Sequence, residues 1–268
     1  MKINSIQVNN IITKTKLPAS DFVINPYIGC THNCLYCYAE FMKKFTHHTN
    51  EKWCSFLDVK NFSSLKYKKI YKDKLFLISS VTDPYNKYEV IYKKTQSILE
   101  QLLKFDSNFE ILTKSPLVTR DIELIKKFKN IKVGISIAFH NDDDRKIFEP
   151  NAPSITSRIN ALKKLNEAGI ETYVFISPIF PMITDVISII NSTKLYTTSY
   201  MFENLNLRGE YKKNILYLIK KKYPDIYSIY EDIFNQNNIL YWDKLLKEIE
   251  SLDINKKFFF HHKLIKKK

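Results

Sequence analysis

Between residues 75 and 202 the chain repeats one pattern: a short apolar, β-branched run, a turn, then an amphipathic stretch. The runs are Leu75–Val81, Phe109–Thr113, Lys132–Phe139 and Glu171–Ser177, with Phe22–Tyr27 before them and Lys194–Phe202 after. The helical stretches are Tyr88–Leu103, Leu117–Lys129, Ser154–Ala168 and Thr184–Asn191, with Ser154 and Thr184 as N-caps and Gly169 just past one end. Strands apolar on both faces that alternate with helices belong to a parallel sheet covered by helices. Six of them joined by right-handed crossovers give an α/β fold, either a partial barrel or a doubly wound sheet. In both, the loops after the strand C-termini carry the chemistry.

The flanks are less regular. Residues 1–21 read as polar and irregular, and 38–74 show no clear period. After Arg208 the chain turns helical over Tyr211–Lys222, Pro224–Phe234 and Leu240–Leu252. The expected organisation is therefore an α/β unit over 1–208 and a helical extension over 209–268 that ends in the basic and aromatic tail Lys256–Lys268.

Composition removes several classes. With 18 Phe and 17 Tyr the chain has too much apolar surface to be disordered, and 4 Gly and 9 Pro exclude collagen-like sequence. The net charge is +14, which suits a polyanionic partner such as nucleic acid. A Lys-, Ile- and Asn-rich chain is also what an AT-rich genome encodes, so charge alone leaves both readings open. The start MKINSIQVNN has no apolar core of a leader peptide, and the apolar stretch Tyr173–Ile190 is broken by Pro178, Pro181 and Asp185. A cytoplasmic protein with no membrane partner is expected.

Three of the 4 cysteines crowd one loop, Asn25-Pro-Tyr-Ile-Gly-Cys30-Thr-His-Asn-Cys34-Leu-Tyr-Cys37-Tyr-Ala. Disulfide frameworks spread their bridges along short secreted chains, so metal or redox chemistry fits better. Three thiolates spaced C-x3-C-x2-C can bind three irons of a 4Fe-4S cubane and leave the fourth open as a Lewis-acid position. Structural zinc, completed by His32, His47, His48 or Cys54, is an alternative, and so are inert buried thiols.

C-x3-C-x2-C with Tyr36 directly before the last cysteine resembles the radical S-adenosylmethionine superfamily. The longer string NPYIGCTHNCLYCYA resembles its spore photoproduct lyase-like branch. FMKKFTHHTNEKWCSFLDVK and FENLNLRGEYKK are similar to the family called radical S-adenosylmethionine mobile pair protein B. The resemblance covers nearly the whole chain and implies a partial (β/α)6 barrel with a helical C-terminal extension. It also implies a 4Fe-4S cluster and S-adenosyl-L-methionine as cofactors, an external electron donor, and a second radical S-adenosylmethionine protein encoded alongside.

Residue by residue, the resemblance assigns the cluster to Cys30, Cys34 and Cys37 and sets Tyr36 against the adenine. Thr82 and Asp83, in Ser79-Ser-Val-Thr-Asp-Pro, match the position that holds the cofactor's amino group. Lys114 and Ser136 match residues that meet its carboxylate and ribose. Arg145 and Glu149 are expected near the substrate mouth. The lyase-like branch carries a hydrogen-donating Cys where this chain has Ser80, and a hydroxyl is a far poorer hydrogen-atom donor, so photoproduct repair by that route is not expected. Cys54 is the spare thiol, a hydrogen donor or a buried side chain. The functional expectation is a radical S-adenosylmethionine enzyme that abstracts hydrogen from a substrate, with nucleic acid preferred on the charge and on the basic and aromatic tail Lys256–Lys268, and a peptide or small molecule as rival. A non-catalytic iron–sulfur or zinc nucleic-acid-binding module is the other class.

Overall fold

The computed structural model describes residues 1–18 and 20–261. Eleven strands form among them: β1 (Lys2–Gln7), β2 (Ile12–Lys14), β3 (Phe22–Ile24), β4 (Tyr27–Ile28), β5 (Phe56–Asn61), β6 (Leu75–Ile78), β7 (Asn108–Thr113), β8 (Ile131–Ser136), β9 (Glu171–Ile179), β10 (Ser199–Asn204) and β11 (Lys256–Phe258). The α-helices are α1 (Glu89–Tyr92), α2 (Lys94–Leu102), α3 (Ile122–Ile125), α4 (Asp142–Phe148), α5 (Ile155–Glu167), α6 (Val186–Thr193), α7 (Gly209–Lys222), α8 (Tyr227–Phe234) and α9 (Leu240–Ser251).

The large sheet runs β11-β10-β9-β8-β7-β6-β3-β2, parallel throughout except for antiparallel β2 at one edge. Among the described residues its edges, β2 and β11, do not pair, so it is an open, partial barrel rather than a closed one. Ile24, Ile78, Ile111, Val133, Ile135, Val174, Ile176 and Phe202 are buried along it, which is why these runs carry apolar residues on both faces. The register brings Ile24 beside Ile78, Ile78 beside Ile111, and Ser136 beside Phe175. The loops after β3, β6, β7 and β8 therefore emerge along one rim.

The expected α/β architecture is present, with informative differences. Ser154 caps α5, its hydroxyl accepting from the Ser157 N–H at 3.2 Å. Asp185, not Thr184, caps α6, because the Thr184 hydroxyl is bound to Phe180 N and Ala138 O. The stretch 88–103 is two helices, broken at Lys93 with φ +47. The break lets the fully buried Glu89 carboxylate accept from Thr95 N and Gln96 N at the start of α2. The N-terminal segment is not irregular: β1 pairs with β5 in a small sheet ordered β1-β5-β4. No residue of β1 is fully buried, so it shows no clear apolar alternation.

The sheet also has a seventh parallel strand. β11 lies within the tail Lys256–Lys268 and pairs with β10. Phe258 packs on the core and Phe260 is buried there, which accounts for part of the tail's aromatic content by packing. Residues 262–268 lie outside the described residues.

Gly134 in β8 faces Tyr173 in β9, whose ring lies where a side chain would start: a Cβ at 134 would stand 2.0 Å from Tyr173 Cζ. The Tyr173 hydroxyl donates to Glu110 Oε1 at 2.5 Å. Gly134→Ala should push the ring aside and break that buried hydrogen bond, costing about 2–3 kcal/mol in chemical unfolding. An unchanged unfolding midpoint would show that the ring is not held there.

Candidate active site on the sheet rim

The cysteine loop leaves β4 through Gly29. Its φ is +89, and a Cβ there would lie 2.5 Å from the Phe56 carbonyl oxygen, so only glycine fits. Cys30, Cys34 and Cys37 follow, each partly exposed yet closely surrounded. Burial pushes all three thiols up, Cys30 to about 12, and each pair of sulfurs is close enough to interact electrostatically. Opposing this, backbone N–H groups of His32 and Asp83 face the Cys30 sulfur and that of Ala39 faces Cys37. The Trp53 indole donates to Cys37 Sγ at 3.2 Å. Donors aimed at sulfur are what a thiolate-ligated group requires. Among the described residues no three His, Cys, Asp or Glu side chains are arranged to hold a single metal ion.

Asp83 binds this loop to the sheet. Its carboxylate is bound to His32 Nε2 at 2.9 Å and accepts from Thr113 Oγ1 at 2.6 Å, Lys114 N at 2.8 Å and Tyr85 N at 2.8 Å. Four donors use the carboxylate's acceptor positions. The adjacent Thr82 hydroxyl donates to the Gly29 carbonyl and keeps lone pairs for an incoming donor.

A second polar group lies beside it. Lys114 Nζ donates to Ser136 Oγ at 3.0 Å, stands 3.8 Å from Glu149 Oε1, and lies 5.9 Å from the Tyr36 ring centroid. The Tyr36 hydroxyl donates to Glu149, and Arg158, fully buried, pairs with the same carboxylate. Burial alone would lower Lys114, but Glu149 and Cys34 outweigh it and hold the ammonium above its usual range. Burial would raise Glu149, but Arg158 and Lys114 hold it down. Ser136, the last residue of β8, is buried, and its carbonyl accepts from Arg158 at 3.0 Å.

Tyr36, Lys114 and Ser136 thus converge, as do Thr82, Asp83 and the cysteine loop. Arg145 and Glu149 do not line an open mouth. Arg145 is buried and bound to Asp142, Glu149 O and Ala152 O, and Glu149 is fully buried. Cys54 packs with Cys37, Ala39 and Trp53, next to the loop. His32, a zinc-ligand candidate in the sequence, instead binds Asp83, and Arg158 carries no motif at all. Arg158 shares one helical stripe with Ile155, Leu162 and Leu165, and a charge on an apolar stripe is the signal that marks it.

Two of the buried side-chain polar atoms without a partner among the described residues, His32 Nδ1 and Ser79 Oγ, belong to this rim. Buried polar groups are normally bonded, so their position fits a site that receives a further group. With the thiols and their N–H donors, the residues suit an iron–sulfur cluster and an amino-acid-bearing cofactor.

Burial raises the Asp83 carboxyl, but His32 and the other donors outweigh it and hold it at about 2, below the ordinary 3.8. A depressed carboxyl stabilises the fold above its unfolded value, so this contribution is complete above about pH 4 and fades as pH falls toward 2. In the apoprotein, wild type should lose roughly 2 kcal/mol more than Asp83→Asn across that window in urea titrations. Parallel losses in the two proteins would contradict the clamp.

Comparisons with known proteins give the family and the fold. Residues 24–187 match the family model described as the Radical SAM superfamily. An uncharacterized protein of Methanocaldococcus jannaschii is 41% identical over 256 residues, covering 95% of each chain. An uncharacterized protein of Acidianus two-tailed virus is 34% identical over 171 residues, covering 60% of this chain and 56% of that one. In fold, the chain is similar to a spore photoproduct lyase solved with AdoMet and dinucleoside spore photoproduct, with TM-score 0.58 and 16% identity over 83% of this chain. It spans 66% of that lyase's length. SuiB of Streptococcus suis, solved with S-adenosylmethionine, gives TM-score 0.50 and 13% identity, covering 88% of this chain and 49% of that one. The chain therefore belongs to the radical SAM superfamily, as an enzyme that works with a 4Fe-4S cluster and S-adenosylmethionine.

Proposed function

We propose that this cytoplasmic enzyme holds its cluster on Cys30, Cys34 and Cys37 and abstracts a hydrogen atom from a nucleic acid, in a modification or repair reaction. The observation that carries the first part is the trio of thiols on one loop, faced by N–H donors from His32, Ala39, Asp83 and Trp53. When bound, the cluster supplies the electron that cleaves the cofactor's sulfonium to a 5′-deoxyadenosyl radical.

The chain's own residues bind and orient. Lys114 offers a fixed ammonium to the cofactor's carboxylate, steadied by Ser136 and Glu149. The Thr82 hydroxyl offers acceptor lone pairs to its amino group, and Asp83 contributes charge while holding His32. Tyr36, pinned through its hydroxyl to Glu149, presents its ring to the adenine. An external one-electron donor and a second radical S-adenosylmethionine protein are the proposed partners.

Nucleic acid is favoured by the net charge of +14 and by an aromatic strip beside the loop. Tyr38, Phe41 and Phe45 are 51%, 47% and 73% exposed, on the segment that directly follows Cys37 and carries Lys43 and Lys44. The Tyr38 and Phe41 rings stack at 6.4 Å, and the Tyr38 hydroxyl donates to the Ser80 carbonyl at the rim. Exposed rings beside ammonium groups suit bases and phosphates.

Anaerobically reconstituted protein should release 5′-deoxyadenosine with dithionite and S-adenosylmethionine, and Cys34→Ala should release none. Release by the Cys34→Ala variant at the wild-type rate would remove the ligand assignment. Separately, a fluorescent single-stranded oligonucleotide should bind at low salt and dissociate as salt rises. Phe41→Ala/Phe45→Ala should weaken that binding roughly tenfold. Absence of binding at low salt would remove the nucleic-acid part and leave the radical chemistry standing.

A further inference from the structure

Trp53 lies between the 3₁₀ helix Tyr38–Phe45 and β5 and is only 5% exposed. A buried indole N–H needs an acceptor, and this one has Cys37 Sγ at 3.2 Å. The ring has little freedom to leave. It meets Phe56 edge-on with centroids 5.7 Å apart and packs with Ala39 and Met42. Phe56 is itself fixed, fully buried and stacked on His48 at 3.8 Å. His48 is tied through Nδ1 to Glu51 at 2.7 Å and through Nε2 to Asp58 at 3.0 Å. Cys54, at φ +69, turns the chain between Trp53 and β5. A chain of packed rings and buried hydrogen bonds thus aims one N–H at one sulfur.

We propose that Trp53 is a positioning residue for the redox chemistry: its indole N–H on Cys37 Sγ raises the reduction potential of the cluster. The proposal rests on Cys37 being a cluster ligand. A thiolate ligand carries more negative charge when the cluster has gained an electron. An N–H dipole directed at the sulfur therefore stabilises the reduced form more than the oxidised one. Removing the donor makes the cluster harder to reduce, so an external donor of fixed potential fills a smaller fraction of it. The other donors at Cys30 and Cys37 are backbone groups, whereas Trp53 is a side chain that a single substitution removes.

The test is an EPR-monitored redox titration of the reconstituted protein, with dithionite as the electron source. It compares wild type, Trp53→Phe, and a protein with benzothienylalanine at position 53, which keeps the ring shape but replaces the N–H with sulfur. Both variants should hold wild-type iron and titrate at a more negative midpoint. An unchanged midpoint in the benzothienylalanine protein overturns the proposal, whatever Trp53→Phe does. The isostere preserves packing, so it decides the matter if Trp53→Phe loses iron. Iron content of Cys37→Ala reports on the underlying ligand assignment independently. Loss of iron supports it, and full loading overturns it together with the proposal.

Discussion

One buried carboxylate ties the cysteine loop to the ends of β6 and β7. Asp83 sits after β6, reaches across to Thr113 and Lys114 at the end of β7, and holds the ring of His32 inside the cysteine loop. Its backbone N–H also faces the Cys30 sulfur. Leu35 and Tyr36 pack the loop against the core, and polar contacts to the sheet fix its cysteine-bearing start. A carboxylate with all its acceptor positions used is suited to that: it stays charged while buried, and each donor it binds is held in place.

The second fixed point is the Glu149–Arg158 pair, both fully buried. Burying two charges costs solvation, and the cost is offset only where geometry and further hydrogen bonds are good. Here Arg158 also donates to the carbonyls of Ser136 and Pro153, and Glu149 receives the Tyr36 hydroxyl. The pair links α5, the end of β8 and the cysteine loop. It also sets the charge around Lys114, whose ammonium is thereby available to an anionic group at the rim.

Much of this was legible in the sequence. Apolar runs of the right length gave the six central strands, and the Ser154 cap and Gly169 gave α5 nearly to the residue. The cysteine spacing pointed to the chemistry. What escaped has physical reasons. β1 has no fully buried residue, and β11 is three residues in a basic segment, so neither has a clear period to read. The break at Lys93 depends on a buried Glu89 carboxylate that caps from outside the helix it serves. Arg145 and Glu149 looked like mouth residues because charged side chains near a strand end usually face solvent. Glu149 is buried against Arg158, nine residues further on, and Arg145 against Asp142 and the carbonyls of Glu149 and Ala152. The chain has 4 Arg among its 42 basic residues, and Arg120, Arg145 and Arg158 all serve carboxylates or carbonyls inside the fold. In so Lys-rich a sequence, these three Arg mark places where a planar fork is needed.

The central claim is that three side-chain sulfurs hold the cluster and leave one iron open to S-adenosylmethionine. The most direct measurement is EPR and electron–nuclear double resonance of the reduced, reconstituted protein with and without isotopically labelled S-adenosylmethionine. A cluster with an open iron should change its spectrum on addition of the cofactor and show coupling to the labelled amino nitrogen and carboxylate oxygen. A spectrum that ignores the cofactor and shows no such coupling would mean that the fourth iron is closed, and would contradict the claim.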